Sequence, residues 1–378
     1  MKLKTTDDLH REDEDDDEVI DVFHGDPTMY ESYWKQHGEK AMVVIPGWKF
    51  TSYFSSAENL CWFLEPEFAN AVTRLHNLVG NAVTEDRNIV VGTGSTQLLQ
   101  AALYAVSLPN ATDPIQVVSA APFYTPYQTI VEFLKSGLYT WGGDAYKFDK
   151  DKPYVEVVTS PNNPDGQSRS AVVNRRRGVV IHDLAYYWPQ YTPITYRADH
   201  DIMLFTVSKS IGHAGSRLGW ALVKDRKIAM KMTEFIMLST IGVSKESQLR
   251  AAKIFRVVVD AHEHRDSSAF FDHSYELMAR RWCQLREVVE KSNLFSLPEL
   301  PSGKCSFSGR TFTTQPAFAW LKCESKAEDC KGFLRNHKII GRGGKHFGDS
   351  EKYVRISVVS RDKVFDKLTE RLSNITSS

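Results

Sequence analysis

Lys209 stands between two hydroxyls, Ser208 and Ser210, at the end of an apolar run that begins at Leu204. A loop of small residues, Gly212-His213-Ala214-Gly215-Ser216, leads from it to Arg217 and a second apolar run over 218–223. This reads as strand, reactive turn, strand. A lysine delivered into a partly desolvated site is a candidate Schiff-base former, because burial disfavours the ammonium and leaves a nucleophilic amine. An isolated lysine is most often a solvated surface side chain. Other polar clusters in this chain reverse that expectation.

Gly92-Thr93-Gly94-Ser95-Thr96 lies between a short apolar strand, 88–91, and a largely apolar helical stretch, 97–106. Backbone amides, the helix dipole and the two hydroxyls make such a turn an anion site. It lacks the third glycine of a dinucleotide fingerprint and the Gly-Lys of a nucleotide P-loop, which leaves an isolated phosphate as its ligand. A pyridoxal phosphate enzyme needs such a cradle, a lysine, an acid for the pyridine nitrogen, donors to the ring oxygen and an aromatic on the ring face. The chain offers these in order. Ser95 and Thr96 cradle phosphate, Tyr124 stacks, Asn163 and Tyr186 donate to the ring oxygen, and Asp183 pairs with the ring nitrogen. Lys209 forms the imine, and Arg217 and Ser208 assist at the phosphate.

The elements that must position these groups follow from periodicity. Apolar runs at 115–120, 154–159, 179–182 and 202–207 each end in a polar cluster, with helical stretches between several of them. That alternation predicts an α/β fold with a mostly parallel sheet covered by helices and ligands gathered at the strands' C-terminal ends. From Glu234 the pattern turns helical, with a long amphipathic run over 268–291. A smaller α+β region follows, with strands at 317–321 and 353–359 and a Gly-rich loop, 341–348, read as a structural turn. The expected organisation is an acidic disordered tail (1–22), an N-terminal arm packing with the small domain (23–50), a large cofactor domain (51–250) and a small C-terminal domain (251–378). Aromatics crowd residues 47–65 and suit an arm that packs on a partner or roofs a pocket.

With 378 residues and 42% hydrophobic content the chain can bury the core of two domains or one large α/β unit. Its 47 Lys and Arg balance 47 Asp and Glu, which gives no general reason to expect nucleic acid or an anionic membrane as partner. The five cysteines are scattered without a C-x-x-C pair, so neither a disulfide framework nor a structural zinc site is expected. His262-Glu263-His264 lacks metal-site spacing and reads as a polar helix segment. No apolar run reaches membrane-spanning length, and the start resembles neither a secretory signal nor a transit peptide. A cytoplasmic protein is the expectation.

The strings Thr93-Gly94-Ser95-Thr96-Gln97, Ser160 to Gly166, His182-Asp183, Tyr186-Tyr187-Trp188-Pro189 and Gly212 to Arg217 resemble the plant alliinase and tryptophan aminotransferase family, from His24 to about Leu372. The resemblance implies fold type I of the pyridoxal phosphate enzymes. Because the chain shows neither the cysteine-rich module nor the signal of the alliinase branch, it implies a tryptophan aminotransferase. Such an enzyme passes the amino group to pyruvate and makes indole-3-pyruvate for auxin synthesis. It implies a homodimer acting on amino acids and 2-oxo acids, with Tyr53 at the cofactor phosphate of its own or the neighbouring subunit. Thr206 is implied as a further cofactor contact and Gly25 as a substrate contact. The connection 174–178 is contracted relative to the family pattern.

In Tyr353-Val354-Arg355-Ile356-Ser357-Val358 the apolar residues alternate and set Arg355 on the opposite face. Spacing alone leaves a solvated strand face open. The resemblance makes Arg355 the fork for the substrate α-carboxylate, and Arg335 and Arg342 lack that context. The alternatives are an alliinase-type cysteine sulfoxide lyase, which shares every cofactor residue, an aromatic aminotransferase of broader donor range, and a non-catalytic binding protein.

Overall fold

Strands in the middle of the chain are rich in Val, Ile and Leu, and β-branched residues suit a pleated surface buried on both faces. The computed structural model describes residues 18–375 apart from 108–112, 174, 177 and 325–327. The chain begins with β1 (Ile20–Asp21), α1 (Glu31–Gln36) and α2 (Pro66–Val79), the last opening on a proline whose fixed φ suits the first helical turn. The central unit follows as β2 (Asn88–Gly92), α3 (Ser95–Val106), β3 (Ile115–Ser119), α4 (Pro126–Phe133), β4 (Tyr139–Asp144), β5 (Tyr154–Thr159) and β6 (Gly178–Asp183). It is completed by β7 (Ile202–Thr206), α5 (Val207–Ser210) and β8 (Gly219–Val223).

These seven strands form one sheet in the order β2-β8-β7-β6-β5-β3-β4. β3 to β7 run parallel, and every residue of β3, β5 and β7 is buried. β8 alone runs antiparallel to both neighbours. The reason is local. The chain leaves β7 through one helical turn and a tight loop and comes straight back, and so short a return cannot make a parallel crossover. The C-terminal ends of the parallel strands therefore share an edge with the lysine turn.

Three long helices follow: α6 (Arg226–Thr240), α7 (Lys245–Glu263) and α8 (Phe270–Ser292). Asp225 caps α6 by accepting from the backbone N–H of Lys227 (2.7 Å) and Ile228 (3.0 Å). α3 packs on α6 and α2 on α7. The last part comprises β9 (Phe295–Ser296), β10 (Ser302–Lys304), β11 (Thr311–Thr313), β12 (Phe318–Cys323), α9 (Cys330–Asn336), β13 (Ile339–Ile340), β14 (Arg342–Gly343), β15 (Tyr353–Ser357) and α10 (Asp362–Ser373). Four of these strands make an antiparallel sheet in the order β14-β15-β12-β9.

The N-terminal segment is stitched to this smaller sheet. β1 pairs in parallel with β13, Ser357 N donates to Val22 O (2.9 Å), and Met29 N donates to Val359 O (3.0 Å). The expected acidic tail falls mainly on residues 1–17, outside the described residues. Ile20 and Val22, which composition assigned to that tail, are buried. Burial of these two side chains is what holds the segment down.

The cysteine expectation needs correction. Cys323 ends β12 and Cys330 opens α9, their Cα atoms lie 5.5 Å apart, and they are joined as a disulfide. Separation of seven residues in sequence gave no C-x-x-C signal; packing of α9 on β14 and β15, with β12 beside β15 in the sheet, supplies the proximity. The contracted connection lies partly outside the described residues. Among the described residues no helix is long and apolar enough to cross a membrane.

Candidate active site

Lys209 belongs to α5, whose N-cap is Thr206. Thr206 Oγ1 accepts from Ser208 N (3.2 Å) and donates to Leu218 O (3.2 Å). These two bonds hold the turn that carries the lysine. On the other side, buried Gln190 donates from Nε2 to the carbonyls of Lys209 (3.2 Å) and Ser210 (3.0 Å). The turn is thus pinned from two sides before any ligand arrives.

The lysine Nζ donates to Gly25 O and lies 5.8 Å from the centroid of the Tyr186 ring. Burial pulls its pKa down to about 8, with the nearby charges of Arg355 and Arg217 acting the same way and Asp26 opposing. Gly25 suits this close approach: a Cβ would stand 2.3 Å from the Phe318 ring, which would then have to shift. The cleft around Nζ encloses about 320 Å³, and its walls include His24, Asp26, Tyr124, Asn163, Arg342 and Arg355.

Asp183 ends β6 and is buried. Its Oδ2 accepts from Tyr127 OH (2.7 Å) and its Oδ1 from Ala185 N (3.2 Å). Desolvation raises its pKa, partly offset by these two donors. A buried carboxylate in that condition gains most from a cationic partner. Tyr127 hydrogen-bonds Thr159 Oγ1 as well (2.6 Å). Sequence reasoning missed Tyr127, although it follows Tyr124 by one helical turn at the start of α4 and so falls on a neighbouring face. Burial pushes the phenols of Tyr124 and Tyr186 up, which keeps both protonated and available as donors.

Arg355 is buried on β15. It donates to Asn163 Oδ1 (3.0 Å) and Phe23 O (2.7 Å), and its guanidinium carbon lies 3.9 Å from the Phe318 ring centroid. The bond to Oδ1 leaves the Asn163 NH₂ as the donor for a ring oxygen. Burial lowers the Arg355 pKa to about 10, still well on the charged side at neutral pH.

At the neighbouring turn, Gly94 has φ +91°, and a Cβ there would stand 3.0 Å from Arg217 Nη2. Only a glycine turn lets that guanidinium close over the start of α3, where Ser95 and Thr96 present the first helical N–H groups. Arg217 itself has φ 48° and is anchored by a bond from Nη1 to Ala214 O (2.8 Å). Ser208, next to Lys209 in α5, is buried.

Tyr53 does not line the cleft around Nζ. It is 71% exposed, on a segment fastened elsewhere by Lys49 with Glu67 and by Lys245 Nζ donating to Phe54 O (2.7 Å). Arg342, set aside on sequence context, is in the cleft. The Gly-rich loop read as a structural turn carries it there on β14.

The profile of the Alliinase_C family, described as Allinase, matches residues 20–376. "Tryptophan aminotransferase-related protein 2" of Arabidopsis thaliana is 58% identical over 362 residues, covering 96% of this chain and 82% of that protein. "Alliin lyase" of Allium cepa var. aggregatum is 37% identical over 363 residues, covering 92% and 79%. A solved structure of a single mutant of Thermus thermophilus aspartate aminotransferase superposes with a TM-score of 0.67 at 17% identity, covering 94% of this chain and 91% of that one. The fold is that of fold-type I aminotransferases, and fold and profile together imply pyridoxal phosphate.

The residues present fit that cofactor. The glycine cradle with Arg217 suits a phosphate dianion, buried Asp183 suits a protonated pyridine nitrogen, and Lys209 is a desolvated amine. A pH prediction follows from the lowered amine pKa. The rate at which cofactor-free protein takes up pyridoxal phosphate should rise with pH, with a midpoint near 8. A midpoint near the ordinary lysine value of ~10.4 would show a solvated amine.

Proposed function

The chain belongs to the alliinase family, and on that premise we propose that it is an aminotransferase moving the amino group of tryptophan to pyruvate, yielding indole-3-pyruvate and alanine. The observation that carries the reading is the convergence of Lys209, Asn163 and Arg355 on one aromatic-walled cleft, with the buried charge of Asp183 acting on two of its walls, Tyr124 and Tyr186. The tryptophan-related name of the Arabidopsis relative supports the donor. The indole-3-pyruvate route to auxin, a cytoplasmic location and a homodimer belong to the same proposal. The exposed aromatics Trp48, Phe50, Tyr53 and Phe54 suit a second copy as the partner.

When bound, pyridoxal phosphate supplies an electron sink for the pair released at the substrate α-carbon. The chain's own residues do the rest. Arg355 forks onto the α-carboxylate of donor and acceptor in turn, which sets the α-hydrogen toward Lys209. Lys209 Nζ, its pKa lowered to about 8 by burial, would take that proton and hold it for return. Asp183, held by Tyr127 and the Ala185 N–H, keeps a proton on the ring nitrogen. Tyr186 and Asn163 would donate to the ring oxygen, and Arg217 with the start of α3 would hold the phosphate. The aromatic walls, Tyr124, Tyr186 and Phe318, exclude water and receive an indole ring.

Purified protein given tryptophan and pyruvate should form indole-3-pyruvate and alanine in equal amounts, with little ammonia. Ammonia and pyruvate released from an alkyl cysteine sulfoxide, without tryptophan turnover, would assign the cleft to the lyase chemistry named for the Allium relative.

A further inference from the structure

Beside the lysine turn stands a hydrogen-bond acceptor without a donor. His213 lies in the loop that joins Lys209 to Arg217. Its Nδ1 is 3.3 Å from Ile211 O, which also accepts from Trp34 Nε1 (3.1 Å). A carbonyl can only accept, so Nδ1 carries the hydrogen and Nε2 presents a lone pair. Among the described residues no protein group donates to that nitrogen. The imidazole is braced edge to face against the Trp34 ring, with centroids 4.5 Å apart. Burial pulls its pKa below the ordinary histidine value; the bond to Ile211 opposes this, and the charge of Arg250 acts with burial. The ring therefore stays neutral at neutral pH and keeps its lone pair.

His213 lines a cavity of about 750 Å³, together with Asp26, Tyr30, Glu31, Trp34 and Arg361. This cavity adjoins the catalytic cleft. Asp26 lines both, and its charge acts on Lys209 in the one and on Arg361 in the other. Glu31 is taken up by Arg361 through two bonds (2.9 and 2.7 Å). The loop itself is set by contact: Gly212 has φ +79°, and a Cβ there would stand 2.4 Å from the Tyr30 ring. A neutral acceptor on a fixed loop thus borders the space into which a long side chain held at Lys209 would extend.

Tryptophan differs from phenylalanine in offering one ring N–H, a donor only. We propose that His213 Nε2 is the acceptor for that N–H: the amino acid's reacting end sits at Lys209 and Arg355, and its indole edge passes Asp26 to reach the imidazole. An acceptor enclosed by a ligand that lacks the donor is left unpaired, so such a site discriminates more sharply than an apolar pocket does. The inference rests on the reading of the chain as a tryptophan aminotransferase, and it names the side chain that selects the donor.

The test sets each indole against its benzothiophene counterpart, which keeps the ring shape and replaces N–H with sulfur. On cofactor-loaded protein, calorimetry should show indole-3-propionate bound at least tenfold more tightly than the benzothiophene acid. With pyruvate as acceptor, kcat/KM should favour tryptophan over benzothienylalanine by at least tenfold. His213→Phe keeps a ring against Trp34 but has no acceptor, and it should bring both ratios within twofold. His213→Gln, which retains a carbonyl oxygen, should fall between. A histidine that serves only packing would weaken both members of each pair alike and leave the ratios unchanged in His213→Phe, which would overturn the proposal. So would wild-type ratios near one, which need no variant. Ratios lost in Asp26→Asn but kept in His213→Phe would move the N–H to the Asp26 carboxylate and overturn it as well. Tryptophan–pyruvate turnover on the same preparation separates the two readings. Its absence, with an indole-3-propionate preference that depends on His213, would overturn the proposed reaction and leave the acceptor in place. Intact turnover with equal binding of the two acids would overturn only the role of His213.

Discussion

Replacing Lys209 with alanine is expected to lower turnover by at least about 10³-fold, within the ~10²–10⁴-fold range that a positioned proton-transfer group contributes, with the loss of the covalent attachment added to it. The fold should persist. Lys209 is one of several ties on the N-terminal segment, and the others do not involve it: Arg355 holds Phe23 O, and backbone bonds join Val22 to Ser357 and Met29 to Val359. Thr206 and Gln190 hold the turn through backbone groups, which alanine retains. Cofactor affinity should fall but not vanish, because the phosphate cradle at Gly94, Ser95 and Arg217 is untouched. Borohydride treatment followed by denaturation and mass measurement checks this: wild type should retain the cofactor covalently and the variant should not. A variant with turnover within tenfold of wild type would remove Lys209 from its assigned role.

Asp183→Asn is expected to keep the cofactor and lose turnover on the order of 10²-fold, since an adjacent opposite charge shifts a titrating group by ~1–3 pKa units and each unit is tenfold. Without the carboxylate, nothing holds the proton at the ring nitrogen. The substitution should be structurally mild. The amide oxygen can keep the bond from Ala185 N, while Tyr127 OH can accept from the new NH₂ and turn its own hydrogen to Thr159 Oγ1, already 2.6 Å away. The sign of the stability effect is also set. Burial raises the Asp183 pKa in the folded, cofactor-free protein, so that state binds the proton more tightly than the unfolded chain does. Stability from this group is therefore present below the unfolded value and is lost as pH rises through the folded one. At neutral pH the cofactor-free Asp183→Asn protein should melt no lower than cofactor-free wild type. Pyridoxal phosphate should then stabilise wild type more than the variant. A variant as active as wild type would place the acid elsewhere.

Much of the site was readable because its parts are local. A strand end is marked by where an apolar run stops, so Asp183, Asn163 and Lys209 could each be placed at the same edge of a sheet without knowing how the strands pair. The Gly94 turn and the start of α3 are adjacent in sequence, and an anion site there needs nothing from the rest of the chain. The parallel sheet was legible for a related reason: strands covered on both faces are predominantly apolar, and β3, β5 and β7 are buried along their whole length, Gln116 and Glu156 included.

What only the tertiary structure decided are the relations between distant segments. The Gly25 carbonyl reaches Lys209 across 184 residues, and Asn163 meets Arg355 across 192. Arg342 looked like part of a glycine-rich turn until strand register set it opposite Arg355. Cys323 and Cys330 acquired a shared position only when α9 packed on β15, the neighbour of β12. Periodicity along a chain fixes which way a side chain faces and where an element ends. Which acceptor, ring or charge waits on that side depends on register and packing between segments, and these are set by burial over the whole fold.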